Sequence, residues 1–228
     1  MPEQSPAVSN AALGPPSVLI ADDHPLFRQA LVLALGRVRP DVAVLEAGTL
    51  ANAQQLAAAT PALSLIMLDL KMPGAVGYSG IALLHAERPN VPILVISSAQ
   101  GATAAQEARE FGAIGFVSKD SDLATIEAAI AQVLGRAPAG NLPPPTPAPA
   151  ANGELDTIRR QVADLTPTQL KVLLAVLDGQ LNKQIAHTLG ISEATVKAHM
   201  TAIMRKLDVR NRTQAALVAR SLGLEPRA

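Results

Sequence analysis

Apolar residues in the first 135 positions fall into two alternating kinds of run. Val18 to Ala21, Val42 to Ala47, Leu63 to Leu68, Ile93 to Ile96 and Ile114 to Val117 are short and almost continuously apolar. Leu26 to Leu35, Leu50 to Ala59, Ile81 to Arg88, Ala104 to Phe111 and Leu123 to Leu134 follow them in turn, with apolar residues at helical intervals. Five strands, each followed by a helix and none alternating with polar residues, predict an α/β unit with a parallel, doubly wound sheet covered on both faces. Right-handed crossovers then gather every strand C-terminus at one edge, where open sheets form their sites near the switch in strand order.

The pattern changes after residue 135. From Arg136 to Gly153 the chain carries Pro138, Pro143, Pro144, Pro145, Pro147 and Pro149 among Ala, Gly and Asn, a composition that predicts an extended spacer able to reach on the order of 50 Å. Helical spacing resumes through Leu155, Ile158, Val162 and Leu165. An all-α unit follows. Asn182 to Leu189 is a short amphipathic helix with Ile185, Ala186 and Leu189 on one face, closed by Gly190 in a positive-φ turn. Ser192 then caps a second helix, Glu193 to Leu207, whose buried stripe is Val196, Met200, Ile203 and Leu207. Lys197, Ala198, Thr201, Arg205 and Lys206 are left facing outward.

Net charge alone conceals what this basic face means, because 19 Lys and Arg balance 19 Asp and Glu. Residues 154 to 228 hold 11 basic against 7 acidic side chains, and residues 1 to 153 hold 8 against 12. The chain therefore has an acidic front and a basic back, as expected when one end meets phosphate. Most charge on a helix only keeps its outer face in water. Here Ala198 and Thr201 beside Lys197 are small enough for close approach to base edges, which favours a DNA-reading helix. Length predicts two domains, and 49% hydrophobic content supplies a core for each. Cysteine is absent, which excludes disulfides and Cys-ligated metals and fits a reducing cytoplasm. No run approaches a membrane span, and the Pro/Ala-rich stretch 1–16 reads as a disordered tail without a signal pattern.

The strand ends of the first domain carry specific chemistry. Strand one ends in Asp22 and Asp23, strand three in Asp69, strand four in Ser97, and strand five runs into Lys119. Crowded carboxylates repel one another, and a hard divalent cation with oxygen ligands, Mg²⁺ above all, relieves that cost. A magnesium site beside a lysine suits a phosphoryl group, attacked by one carboxylate to form an aspartyl-phosphate. A single aspartate at a strand end is most often a turn former or cap, but four charged residues ending three strands of one sheet argue for a site.

The residues of both halves resemble known families. Leu165-Thr166, Asn182-Lys183-Gln184-Ile185-Ala186, Ile191-Ser192, Thr195-Val196-Lys197-Ala198-His199, Lys206-Leu207 and Arg212-Thr213-Gln214-Ala215 resemble the LuxR-type helix-turn-helix. That resemblance implies DNA contact by Lys183, Thr195, Lys197, Ala198, Thr201, Arg205 and Lys206. Where the family usually has Arg-Glu, this chain has Thr168-Gln169, with Lys171 in place of a Glu; Thr166, Pro167 and Gln169 still predict a capping box. The acidic set, with Met72-Pro73-Gly74 and Gly112-Ala113, resembles the receiver domain of two-component response regulators over Ser17 to Gly135. The combination is similar to the NarL/FixJ subfamily.

The receiver resemblance implies a flavodoxin-like strand order 2-1-3-4-5 and phosphorylation of Asp69 by a sensor histidine kinase. It further implies Mg²⁺ held by Asp23, Asp69 and the backbone carbonyl of Lys71 and organised by Asp22, with Ser97 and Phe116 as switch residues and Lys119 binding phosphate. Double-stranded promoter DNA and a homodimer of the active form are the implied partners, with 17–135 as receiver and 154–228 as DNA-binding domain; Thr213 to Leu222, with Ala216, Leu217, Ala219 and Arg220, reads as the helix through which two output domains pair. Two local departures flank the site: Ser98 where alanine is usual, and a glycine-rich loop from Gly74 to Gly80 containing Val76, Tyr78 and Ser79.

Plainer readings stand beside these. Phe116 can be a core residue, Met67, Met72, Met200 and Met204 read as core or loop, and His24 before Pro25 reads first as a cap and turn former. His85, His187 and His199 share no metal-site spacing. The output domain can also be controlled by protein contact or constitutive dimerisation without phosphorylation. An aspartyl-phosphate hydrolase uses similar chemistry but needs an acid two residues after the nucleophile, where this chain has Lys71. The expectation is a regulator, acting as an enzyme only on its own phosphoryl group.

Overall fold

The computed structural model describes residues 15–98, 102–135, 158, 161–162, 164–222 and 224; the expected spacer 136–153, and all but the last two residues of the expected tail 1–16, lie outside them. In the first domain β1 (Ser17–Ala21), α1 (Pro25–Val38), β2 (Ala43–Ala47), α2 (Leu50–Ala59), β3 (Leu63–Leu68), α3 (Ser79–Glu87), β4 (Ile93–Ser97), α4 (Ala102–Glu110), β5 (Gly115–Ser118) and α5 (Leu123–Val133) alternate as the pattern predicts. All strand pairs are parallel, in the order β2-β1-β3-β4-β5.

The continuous apolar runs are explained by burial on both faces. Successive strand residues point to opposite sides. Val18, Ile20, Leu65, Met67, Leu94 and Ile96 pack under α1 and α5 with Leu31, Leu35, Ile126 and Ile130. Leu19, Ala21, Ile66, Leu68, Ile93 and Val95 face the opposite layer with Ala53, Ala57, Ile81, Leu84, Ala108 and Phe111. Each large side chain so buried contributes roughly 1.5–3 kcal/mol relative to exposure. The sheet order puts the switch in chain direction between β1 and β3, whose register pairs Ala21 with Leu68. Their next residues, Asp22 and Asp69, therefore emerge side by side.

The second domain consists of α6 (Pro167–Leu177), α7 (Asn182–Leu189), α8 (Glu193–Lys206) and α9 (Arg212–Ser221). The predicted capping box is present: Gln169 N donates to Thr166 Oγ1 at 3.3 Å and Thr166 N to Gln169 Oε1 at 3.1 Å, with Pro167 in the first helical turn. Gly190 closes α7 at φ 66°, and Ser192 Oγ accepts from Thr195 N at 3.1 Å. Val196, Met200, Ile203 and Leu207 are buried together with Leu170, Leu173, Ile185 and Ala215. Arg212 locks the start of α9 to the α6–α7 turn, donating to Gln180 O and, at 3.0 Å, to Asn182 Oδ1.

The two domains meet through α3 and α6. No residue from Ser79 to Glu87 or from Pro167 to Leu177 is exposed. A helix apolar on several sides needs cover on more than one face; α3 has the sheet layer beneath it and α6 across it.

Two glycines gauge the local geometry. At Gly112, φ is +106° and an added Cβ would lie 2.7 Å from His85 Cγ; at Gly190, φ is +66° and nothing lies within 4 Å. Gly190→Ala should cost about 1 kcal/mol for left-handed backbone alone. Gly112→Ala, which adds a steric clash to the strained φ, should cost about 3 kcal/mol. Urea unfolding followed by circular dichroism gives both values, and equal costs would contradict the packing described.

Candidate functional site

Three strand ends build the acidic site. Asp22 follows β1, and its backbone N–H donates to Ala47 O at 3.0 Å; Asp69 follows β3, and its N–H donates to Ala21 O at 2.8 Å. Both carboxylates are almost wholly buried, while Asp23 is partly exposed. Lys119, just past β5, is fixed by its N–H to Ser97 O at 3.1 Å. From there its ammonium reaches Asp22 Oδ2 and Asp69 Oδ2, each at 2.7 Å. The amine also sits 4.8 Å from the centre of the Phe27 ring. Burial disfavours its charge, yet the carboxylates of Asp22 and Asp69 outweigh burial and hold the Lys119 pKa above the ordinary lysine value.

The remaining oxygens are arranged for a cation. Ligand atoms of Asp22, Asp23, His24 and Asp69 all lie within 4.8 Å of one another. Asp22 Oδ2 and Asp23 Oδ1 are buried yet receive no well-directed hydrogen bond, although Lys119 Nζ and His24 Nδ1 respectively lie 2.7 Å away. Buried carboxylate oxygens without aligned donors are what a hard cation satisfies. The residues present thus fit Mg²⁺. Lys71 N donates to Asp69 Oδ1 at 3.1 Å, which turns the backbone of Lys71 in toward the acid and leaves its side chain in solvent.

Ser97 ends β4 fully buried, and Phe116 on β5 is half-buried against the core. A cavity of about 440 Å³ opens beside Lys119, lined by His24, Leu26, Phe27, Ala30 and Ser98. The site can therefore be approached from the α1 side.

In the second domain, α8 shows one face to solvent. Thr195, Lys197, Ala198, Thr201 and Arg205 are exposed on it, and Lys183 is exposed on α7. Thr201 Oγ1 donates back to Lys197 O at 3.1 Å, so its methyl group is turned outward from the helix backbone. Cations beside small residues on an uncovered helix form a surface that can enter a major groove.

Comparison with known proteins agrees with both halves. The family model described as response regulator receiver domain matches residues 18–131, and that of the bacterial regulatory proteins, luxR family, matches residues 163–219. A glycerol metabolism activator of Pseudomonas putida is 40% identical over 215 residues, covering 89% of this chain and 94% of the relative. The chain belongs to the LuxR-type response regulators. The nitrate/nitrite response regulator protein NarL of Escherichia coli K12 is 31% identical, with 89% and 94% coverage. A solved LuxR-family two-component response regulator from Aurantimonas is 32% identical over 53% of this chain and 86% of its own, at a TM-score of 0.47.

This response regulator departs from the residue-level expectations in three places. Lys206, expected to face DNA, instead donates to Asp164 O at 2.8 Å and to Gln169 Oε1 at 3.0 Å, fastening the end of α8 to the cap of α6. Nine residues, about two and a half turns, after Lys197, it lies on the opposite side of the helix, where a buried amide captures the amine. His24 stands at the N-cap position of α1 but makes no side-chain cap. Its ring lies against Asp23 Oδ1 at 2.7 Å and Asp22 Oδ1 at 3.2 Å, so it belongs to the acidic cluster. Ala219, read as part of a pairing surface, is fully buried within its own domain. Helical spacing does signal the side on which Lys206 lies, though not its partner, whereas a single His before a helix carries no periodic signal.

Lys206→Ala should lower the stability of the DNA-binding domain by about 1–2 kcal/mol, with operator affinity little changed. Lys197→Ala should leave stability within about 0.5 kcal/mol and weaken operator binding several-fold. Thermal unfolding and fluorescence-anisotropy titration on the same samples separate the two roles.

Proposed function

We propose that this DNA-binding transcriptional regulator is switched by phosphorylation of Asp69 from a sensor histidine kinase. The observation that carries the reading is Lys119 held at 2.7 Å from both Asp22 and Asp69 beside the acid cluster. In the transfer, an Asp69 oxygen forms the P–O bond as the P–N bond to the kinase's phosphohistidine breaks and the electron pair returns to the imidazole. Lys119 exchanges its hydrogen bond from Asp69 to a phosphoryl oxygen, keeping a cation beside the new charge. Asp23, Asp69 and the Lys71 carbonyl would hold Mg²⁺, with Asp22 organising the site; the cation supplies positive charge to the transferring oxygens. Ser97 and Phe116 then move inward together. The receiver acts as an enzyme on its own phosphoryl group alone, because Lys71 stands where a hydrolase places its second acid. The DNA contacts fall to Lys183, Thr195, Lys197, Ala198, Thr201 and Arg205, in the cytoplasm where the operator lies.

Control by uncovering the recognition helix has no support, since α8 is already exposed while α3 packs on α6. Pairing of two chains supplies the alternative. Leu217 on α9 is 57% exposed beside half-buried Ala216, an apolar spot suited to a two-fold contact that places two recognition helices on paired half-sites.

Acetyl phosphate with Mg²⁺ should retard the wild-type chain completely on a Phos-tag gel, and Asp69→Asn should abolish the shift; a retained shift moves the acceptor elsewhere. No shift in the wild type, with operator binding intact, would favour phosphorylation-independent control. Light scattering should show the mass doubling on addition of beryllofluoride and remaining unchanged for Leu217→Asp. A wild-type mass that does not change would remove pairing as the switch.

A further inference from the structure

The glycine-rich loop after the phosphoacceptor and the helix after Ser97 leave the site in different directions and meet again at Tyr78. Tyr78 Oη donates to Glu107 Oε2 on α4 at 2.5 Å, and its ring stacks on Phe111 at 5.6 Å between centroids and 10° between planes. The loop itself is firmly set: Ala75 N donates to Met72 O at 2.9 Å, Val76 N to buried Ser79 Oγ at 2.9 Å, and Leu50 N to Pro73 O at 3.0 Å. Gly74 and Gly77 supply the positive φ angles that bring Tyr78 round to α4. By contrast, α4 has a thin apolar grip. Among its described side chains the buried ones are the alanines Ala104 and Ala108, with Phe111 just beyond its end. Alanine methyls contribute little by burial, so a charge-assisted hydrogen bond and a ring stack form a large share of what fixes this helix.

We propose that Tyr78 is a positioning residue that tethers α4 to the phosphoacceptor loop in the unphosphorylated receiver, and that phosphorylation breaks the Tyr78–Glu107 bond as α4 moves. The proposal rests on the phosphorylation reading above. A bond present in only one state biases the equilibrium by its own free energy, so the tether sets how much phosphoryl-driven force the switch requires. Nothing in it depends on the output domain.

Tyr78 is the only tyrosine in a chain without tryptophan, so the unlabelled full-length protein reports on it alone. A phenol donating to a carboxylate loses its proton on excitation and emits weakly. Wild-type tyrosine emission should therefore rise on addition of Mg²⁺ and beryllofluoride, with ¹⁹F NMR confirming that beryllofluoride is bound. Glu107→Ala should emit strongly from the start and show no further rise. Tyr78→Phe keeps the ring stack but not the hydroxyl, and should reach half-saturation at roughly tenfold lower beryllofluoride. Bound beryllofluoride with unchanged wild-type emission, or half-saturation of Tyr78→Phe at or above the wild-type concentration, overturns the tether while leaving the phosphorylation reading intact. Absence of any bound beryllofluoride signal overturns both.

Discussion

One partly buried ammonium holds the functional end of the receiver together. Asp22 and Asp69 are driven side by side because β1 and β3 are neighbours in register, and both carboxylates are nearly sealed from water. Two such charges repel and lose hydration, costs that a lone buried acid escapes by taking up a proton. Lys119 answers both at once, reaching each acid from the end of a third strand. Its pKa is raised despite burial, which shows that the acids gain a partner that stays charged. In the proposed transfer, a cation tied to Asp69 beforehand is already in place for the phosphoryl oxygens afterward.

Much of this was legible in the chain. The five apolar runs specified a parallel sheet because burial on both faces removes polar alternation, and their terminal residues named the acids and the lysine. Thr166, Pro167 and Gln169 specified a capping box although the family's usual residues are replaced, because the chemistry of the cap needs only a hydroxyl and a side-chain carbonyl. Features that depend on where a flexible side chain comes to rest were not legible. Lys206 turns aside to Gln169, and His24 folds over the acids, because each finds a partner far away in sequence or on an irregular loop. Tyr78 was visible only as an oddity in a glycine-rich loop; its partner on α4 is 29 residues away.

The output domain divides its cations between two tasks. Lys206 and Arg212 are spent internally, the first joining α8 to the cap of α6 and the second joining α9 to the turn before α7. Lys197 and Arg205 remain in solvent on the outer face of α8. A helix that must enter a groove can spare no flexibility at its ends, and ammonium and guanidinium groups with directed partners supply that stiffness better than bare surface charge. The basic excess of this half is therefore partly structural, and counting charge overstates the number of phosphate contacts.

An exposed recognition face in a chain whose domains touch constrains how regulation can work. If α3 lying on α6 does not cover α8, moving the domains apart exposes nothing new to DNA. What the contact can do is fix the angle and distance at which two output domains would meet, since α3 follows directly from the loop that carries the phosphoacceptor. In the proposed pairing, a receiver that changes shape would alter pairing geometry, and binding to two half-sites is far more sensitive to such geometry than binding to one. On the proposed reading a weakly gripped α4 would suit such a device, because a helix with buried alanines, anchored by Phe111 at its end and by Tyr78, would need a smaller free-energy change to shift than one seated in a deep apolar core.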